Sequence, residues 1–196
     1  MQADWPSENI ILGLLCERPM HGYELARRVQ EDEALRAIWR IERSEVYFLL
    51  GKLRQKAYIA EYAEERPNGP ARTIYAPTET GREEFEQWLR NPEPHPRNLR
   101  TALLARVYAA LRHDPFAAMA LIDAQKLALS DWLEREQQLK IENEVVALVH
   151  RLRAAQVLAT LGALDDLRRL AVAKSTSRTL GSSAESLQNG QQSRRS

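Results

Sequence analysis

IERSEVYFLLGKLRQKAYI, residues 41 to 59, decides how the rest of this chain is read. The stretch predicts one capped helix. Ser44 is the expected N-cap, because its hydroxyl accepts a backbone N–H that the first turn leaves unpaired. Glu45 then falls in the first turn, where a negative charge suits the helix dipole. Val46, Leu49, Leu50 and Leu53 recur at helical spacing and mark the face to be buried. Arg43, Tyr47, Lys52, Arg54 and Lys56 lie largely off that face. Such a helix has an apolar stripe to dock it and a basic, hydroxyl-bearing side to present, a shape that suits a DNA major groove. Taken alone, the stretch reads more readily as an ordinary surface helix with solvated charges. Its surroundings decide between the two.

The 196 residues allow one large or two small domains, and 44% hydrophobic content provides for a packed core. A formal net charge of only +1 argues against binding to nucleic acid or membrane by bulk charge. Cys16, the single cysteine, rules out a disulfide within the chain and reads as a reduced core residue. We see no leader-like segment, and the uninterrupted apolar runs fall far short of the ~20 residues that span a bilayer. A soluble cytoplasmic protein with no membrane partner is expected.

Upstream, Ser7 caps a helix running to about Arg18, which Pro19 ends. A second helix starts near His21 or Gly22 and runs to about Asp32, with Tyr23, Leu25, Ala26 and Val29 as its inner face. Helix, short turn, helix and then a third helix is the order of a helix-turn-helix unit. After Ala57 the pattern changes. Residues 58–63 and 73–76 are short and rich in β-branched and aromatic residues. Between them, Pro67, Asn68, Gly69 and Pro70 make a turn signal, since Asn and Gly tolerate positive φ and the prolines fix φ. This predicts a two-stranded hairpin with Arg66 and Arg72 flanking its tip, in the position of a wing. A further helix from about Thr80 carries Phe85, Trp88 and Leu89. Three prolines then fall in five residues, at 92, 94 and 96, and a stiff linker is expected there.

Beyond the linker the chain is helical. Leu99, Leu103, Val107 and Leu111 form one stripe over 98–111. Asp114-Pro115 is a helix start, with Asp as cap and Pro in the first helical position. A reversal is expected near 141–143, with Asn143 capping the next helix, which Val145, Leu148, Val149, Leu152 and Leu158 continue. Two long striped helices have too little partner surface in one chain, and a second copy is their natural partner, with a self-contained three-helix bundle as the alternative. From Ser175 the composition turns to Ser, Gln, Gly and Asn, as in a disordered tail. The fold class expected is therefore mostly α. A winged helix-turn-helix with a two-stranded β-hairpin wing covers 1–90, a Pro-rich linker 91–97, a helical dimerisation domain 98–174 and a tail 175–196.

The runs Pro19-Met20-His21-Gly22-Tyr23-Glu24-Leu25, Ser44-Glu45-Val46-Tyr47, Gly69-Pro70-Ala71-Arg72-Thr73-Ile74-Tyr75 and Thr78-Glu79-Thr80-Gly81-Arg82 resemble the PadR family of transcriptional regulators. The resemblance is close over about residues 8–90, while the C-terminal part agrees in layout only. It implies a homodimeric, mostly repressing DNA-binding protein on a palindromic operator. It also implies, for some members, release by a small phenolic, aromatic or hydrophobic effector. One departure stands out: the family often has proline, then alanine, after the matching tyrosine, where this chain has Phe48 and Leu49. Gly51 inside the helix costs about 1 kcal/mol relative to alanine.

Affinity for DNA comes mostly from well-placed Lys and Arg on phosphates. Residues 1–90 hold 13 basic and 16 acidic side chains, a formal −3, whereas 43–56 hold four basic and one acidic, a formal +3. The positive charge is local, as a docked helix needs. The resemblance places Ser44 and Tyr47 as hydroxyl donors to phosphate or base edges. Arg43, Lys52 and Arg54 are candidate backbone contacts. Glu45 either accepts from a cytosine amino group or serves only the helix dipole. Asn68 and Gly69 are candidates for the minor groove, with Arg66 and Arg72 on phosphate. Trp88 and Trp132 either line an effector pocket or are plain core. His21 and Glu24 are too few ligands for a metal, no cofactor is expected, and no phosphate loop, nucleophile elbow or zinc-protease motif is present, so an enzyme has no support. The competing reading is a winged helix that has lost DNA and serves as a protein-interaction module.

Overall fold

The computed structural model describes the backbone of residues 6–66 and 69–192 and the side chains of 6–62 and 73–176. Five helices and a small sheet come first: α1 (Pro6–Glu17), β1 (Met20–His21), α2 (Gly22–Glu31), α3 (Glu33–Ile38), α4 (Arg43–Gln55), β2 (Ile59–Arg66), β3 (Gly69–Pro77) and α5 (Glu79–Arg90). A 3₁₀ turn (Pro96–Asn98) and a π turn (Leu99–Leu103) lead into α6 (Leu104–His113). α7 (Pro115–Gln137) and α8 (Glu144–Gln192) follow. The chain divides into two compact units, 1–113 and 114–196.

In the first unit α1 is the centre. Ile10, Ile11, Leu12, Leu14 and Leu15 are all at most 3% exposed, because α4, α5 and α6 pack around it. Gly13 lies so close to Phe85 that a Cβ there would stand 2.6 Å from the ring. Asp32 ends α2 and caps α3, its Oδ1 accepting from the Leu35 amide at 2.8 Å. The same carboxylate takes the Tyr108 hydroxyl at 2.7 Å and Arg112 at 3.2 Å, while Arg112 also grips Glu17 at 2.7 Å. One cluster thus pins the end of α1 and the α2–α3 junction to α6.

The sheet is antiparallel, in the order β1-β3-β2. Two residues, Met20 and His21, add a third strand by pairing with Tyr75 and Ile74, where sequence predicted two strands only. The hairpin strands are also longer than predicted, pairing from Ile59↔Pro77 to Arg66↔Gly69. α4 docks through Val46, Leu49, Leu50 and Leu53, as its stripe predicted. Ser44 is not its cap: the helix already begins at Arg43, the N-cap position is Glu42, and no side-chain cap bond is made. Ile41, 3% exposed, anchors the entry instead. At the other end Ala57 takes a positive φ of 59°, and the amides of Ala57 and Tyr58 close the helix on the carbonyls of Arg54 and Leu53.

The proline-rich segment is strapped down and belongs to the first unit. Glu93 is 6% exposed and accepts from the His95 amide at 3.2 Å and from Asn98 Nδ2 at 3.0 Å. Arg106, 7% exposed, lies 3.9 Å from Glu93 and donates to the Asn91 carbonyl at 2.6 Å. A buried charge needs a partner, and this pair draws the segment onto α6. The division between units consequently falls at 113/114 and not at 91–97, and α6 sits with the winged unit.

The second unit is an antiparallel helical hairpin. Asp114 caps α7 through the amides of Phe116 and Ala117 at 3.0 and 3.3 Å, with Pro115 next, as predicted. Asn143 caps α8 through Val145 and Val146 at 3.0 and 3.1 Å. Leu121, Ile122 and Leu129 of α7 and Val157, Leu164 and Ala171 of α8 are at most 2% exposed. Lys126–Asp165 at 2.6 Å and Arg168–Asp123 at 2.8 Å tie the two helices together. The backbone stays helical to Gln192, where a disordered tail was expected. No proline interrupts it, and propagating an existing helix costs little. By length and composition, 144–176 is long and apolar enough to cross a membrane, although polar residues such as Arg151, Arg153 and Asp165 interrupt its apolar runs.

Candidate nucleic-acid interface

With one face of α4 buried, the opposite strip is fixed by geometry. Arg43, Ser44, Tyr47, Phe48, Gly51, Arg54 and Gln55 are all exposed on it. The Arg43 guanidinium stacks 5.0 Å from the centre of the Tyr23 ring of α2. Tyr47 is 45% exposed and its ring rests on Gly22, where an added Cβ would come within 2.9 Å of it. The glycine of the His-Gly-Tyr run is therefore a seat for Tyr47. Ser44 is open to solvent and Glu45 half-buried in the first turn.

The other candidate cations are held by the protein itself. Glu8, 5% exposed in α1, takes Lys52 at 3.0 Å and Lys56 at 2.6 Å. Burial alone would raise the Glu8 carboxyl, but hydrogen bonds and charge from Lys56 and Lys52 outweigh it and leave it below its ordinary range. Lys52, expected on the DNA backbone, is thus drawn toward α1, where it shares a buried carboxylate with Lys56. Arg54 meets Glu61 of β2 at 2.9 Å and remains 60% exposed, able to face a phosphate as well. Beside it the Tyr75 phenol is raised, first by burial and then by the Glu61 charge.

The structure adds residues that sequence reasoning missed. His21, Tyr23, Arg27, Tyr47, Thr73 and Tyr75 line an open cleft of about 720 Å³ next to the first turns of α4. Tyr23 was assigned to the inner face of α2, yet it is 58% exposed. Its ring lies against the Arg43 guanidinium, and only Glu24, which follows it directly in sequence, hinted at an outward ring. His21 Nδ1 lies 3.1 Å from the Thr73 carbonyl, tying the start of α2 to the wing strand. Glu24 is paired with Arg18, whose hydrogen bond lowers it, so the His21–Glu24 spacing is used otherwise; no group of three metal-type side chains exists among the described residues. At the wing, the backbones of Arg66, Gly69 and Arg72 lie in β2 and β3, while their side chains, and Asn68 altogether, fall outside the described residues. Trp88 is core: 6% exposed, stacked on Phe85 at 6.1 Å and covered by Arg106 at 5.1 Å. Trp132 is half-buried on α7.

Helix-turn-helix, third helix docked by its apolar stripe, hairpin directly after it: these define a winged helix-turn-helix unit. Residues 11–87 match the model of the transcriptional regulator PadR-like family. A probable transcriptional regulator of Mycobacterium tuberculosis is 29% identical over 82 residues, 42% of each chain. The negative transcriptional regulator PadR of Bacillus subtilis is 26% identical over 98 residues, 50% of this chain and 53% of that one. The chain thus spans about half the length, or less, of these curated relatives. A crystal structure of the Bacillus subtilis PadR with operator DNA aligns over 84% of this chain and 98% of that one, at 19% identity and a TM-score of 0.42.

Proposed function

We propose that this protein is a sequence-specific DNA-binding transcriptional regulator, a repressor acting as a homodimer on a palindromic operator. The observation that carries the reading is the exposed strip of α4. Its apolar side is sealed in the core, and its free side sets hydroxyls and guanidinium groups outward beside the wing. Arg43, Ser44 and Tyr47 face DNA, joined by Tyr23 and Arg27 from the adjoining cleft and by Arg54. Arg66 and Arg72 on phosphate, with Asn68 and Gly69 in the minor groove, extend the contact along the wing. Lys52 and Lys56 serve first to hold α4 on α1, through Glu8.

Dimerisation rests on the hairpin, where Val145, Leu148, Leu152 and Leu158 are 59–71% exposed. So much bare apolar surface on adjacent turns marks an interface. Release by a small aromatic or hydrophobic effector completes the reading. An open apolar groove of about 370 Å³ near the α7–α8 turn, walled by Leu133, Leu139, Ile141 and Leu158 with Arg151 at its rim, has the chemistry to hold one.

The test is selection of bound duplexes from random DNA with the full-length protein, then titration of Arg43→Ala with Tyr47→Ala on the selected site. Both side chains are exposed, so the fold is kept. We expect affinity to drop about 100-fold, from two contacts worth ~1–3 kcal/mol in total per half-site. Unchanged binding by the double variant overturns the docking face. Failure to enrich any duplex, together with capture of a protein through the same strip, would support the interaction-module reading.

A further inference from the structure

The strip of α4 contains one side chain that phosphate contacts leave unused. Phe48 is 63% exposed, more than Tyr47 beside it. Its ring carries no donor or acceptor. The Lys52 ammonium lies 5.3 Å from its centre, on the side facing α1. Ser44 and Gly51, one helical turn to either side, are exposed, as is Gln55 one turn further. Phe48 is therefore a single apolar ring among small and polar residues, not part of an apolar patch of the kind that binds proteins. A Cβ built on Gly51 meets nothing within 4 Å, so the glycine relieves no crowding inside the fold. Its lack of a side chain instead lets the helix surface next to Phe48 approach a partner closely. Cationic side chains bracket the ring, with Arg43 before it and Lys52 and Arg54 after it.

An apolar ring on a closely approaching, cation-flanked helix fits one feature of duplex DNA. The 5-methyl of thymine is the apolar group on the floor of the major groove, and it distinguishes T from C and from every other base. Resting on the DNA-binding reading above, we propose that Phe48 is a specificity-determining residue that reads a thymine methyl in each half-site. Arg43, Tyr47 and Arg54 hold the backbone while Phe48 supplies the base contact. Because the ring already faces water in the free protein, covering it against a methyl removes apolar surface from both partners.

The experiment uses full-length protein and a duplex it selects from random DNA. Each thymine of the half-site is replaced in turn by deoxyuridine, which lacks only the methyl. We expect one position per half-site to respond, weakening binding about fourfold per methyl removed and on the order of tenfold when both half-sites are changed. Phe48→Ala, with an unchanged melting temperature, should bind the thymine and deoxyuridine duplexes equally at that position. Phe48→Leu should keep part of the difference. Equal binding of wild type to thymine and deoxyuridine at every position overturns the proposal and leaves the DNA-binding reading standing. So does a Phe48→Ala variant that still discriminates. If wild type enriches no duplex at all, the DNA-binding reading fails and this proposal with it.

Discussion

The two compact units handle their surfaces in opposite ways. The winged unit turns most of its large aliphatic side chains inward and pairs the charges it buries, Glu8 with Lys52 and Lys56 and Glu93 with Arg106, while Glu17 and Asp32 hold Arg112 nearer the surface. The helical hairpin buries one seam and leaves the remaining face of α8 bare, with Val145 at 71% and Leu152 at 60% exposed. The first is complete as one chain. In the function proposed above, that bare face is half of an interface. The proposed function accordingly assigns recognition and assembly to different parts of the chain, so that each can be broken without the other.

The largest effect is expected from breaking assembly alone. Leu148→Glu with Leu152→Glu puts charge on the bare face of α8 and should weaken self-association at least about 100-fold, since burying each leucine contributes ~1.5–3 kcal/mol. Sedimentation checks this, and the winged unit should melt as before. A variant that still self-associates would show that the bare face is not the interface. Next in size is Gly81→Ala, which acts on the winged unit only. Its Cβ would lie 2.0 Å from the Tyr58 carbonyl oxygen, where α5 crosses the end of the α4 turn. Backbone has little room to yield, and we expect a loss of about 2 kcal/mol in denaturant unfolding. A neutral result would mean that α5 packs less tightly than described.

The smallest expected effect sharpens the contrast through pH. Glu8 and Glu17 are each raised by burial but lowered on balance by their Lys and Arg partners. A carboxylate held below its unfolded value contributes stability that is complete above that value, near pH 4.5, and lost as pH falls through the lower folded value. Winged-unit stability should thus decline in acid, and Glu8→Gln should flatten part of that slope. A Glu8→Gln profile identical to wild type would show that the Lys52–Glu8–Lys56 contact contributes nothing.

Local signals were legible in the sequence and distant ones were not. Asp114-Pro115 and Asn143 announce their helices because a cap acts over three residues. The stripe of α4 is visible for the same reason. The start of α4 was misplaced because Ser44 looks like a cap, while Ile41, buried by tertiary packing, sets the entry two residues earlier. β1 is only two residues long and exists through its partner strand, more than 50 residues away. The segment with three prolines reads as a linker until Arg106, on another helix, buries Glu93. Lys52 and Lys56 look free until Glu8, 44 and 48 residues upstream, claims them. Glu8 itself carried a faint signal, as a charge in the first turn of a helix otherwise buried nearly all round.

The central claim is that one chain's winged unit presents α4 to DNA and the hairpin presents it twice. Sedimentation equilibrium of the full-length protein on a duplex selected from random DNA tests it most directly. The account predicts two chains per duplex, protecting half-sites about one helical turn, ~34 Å, apart. One chain per duplex, or equal binding to any duplex offered, would contradict it.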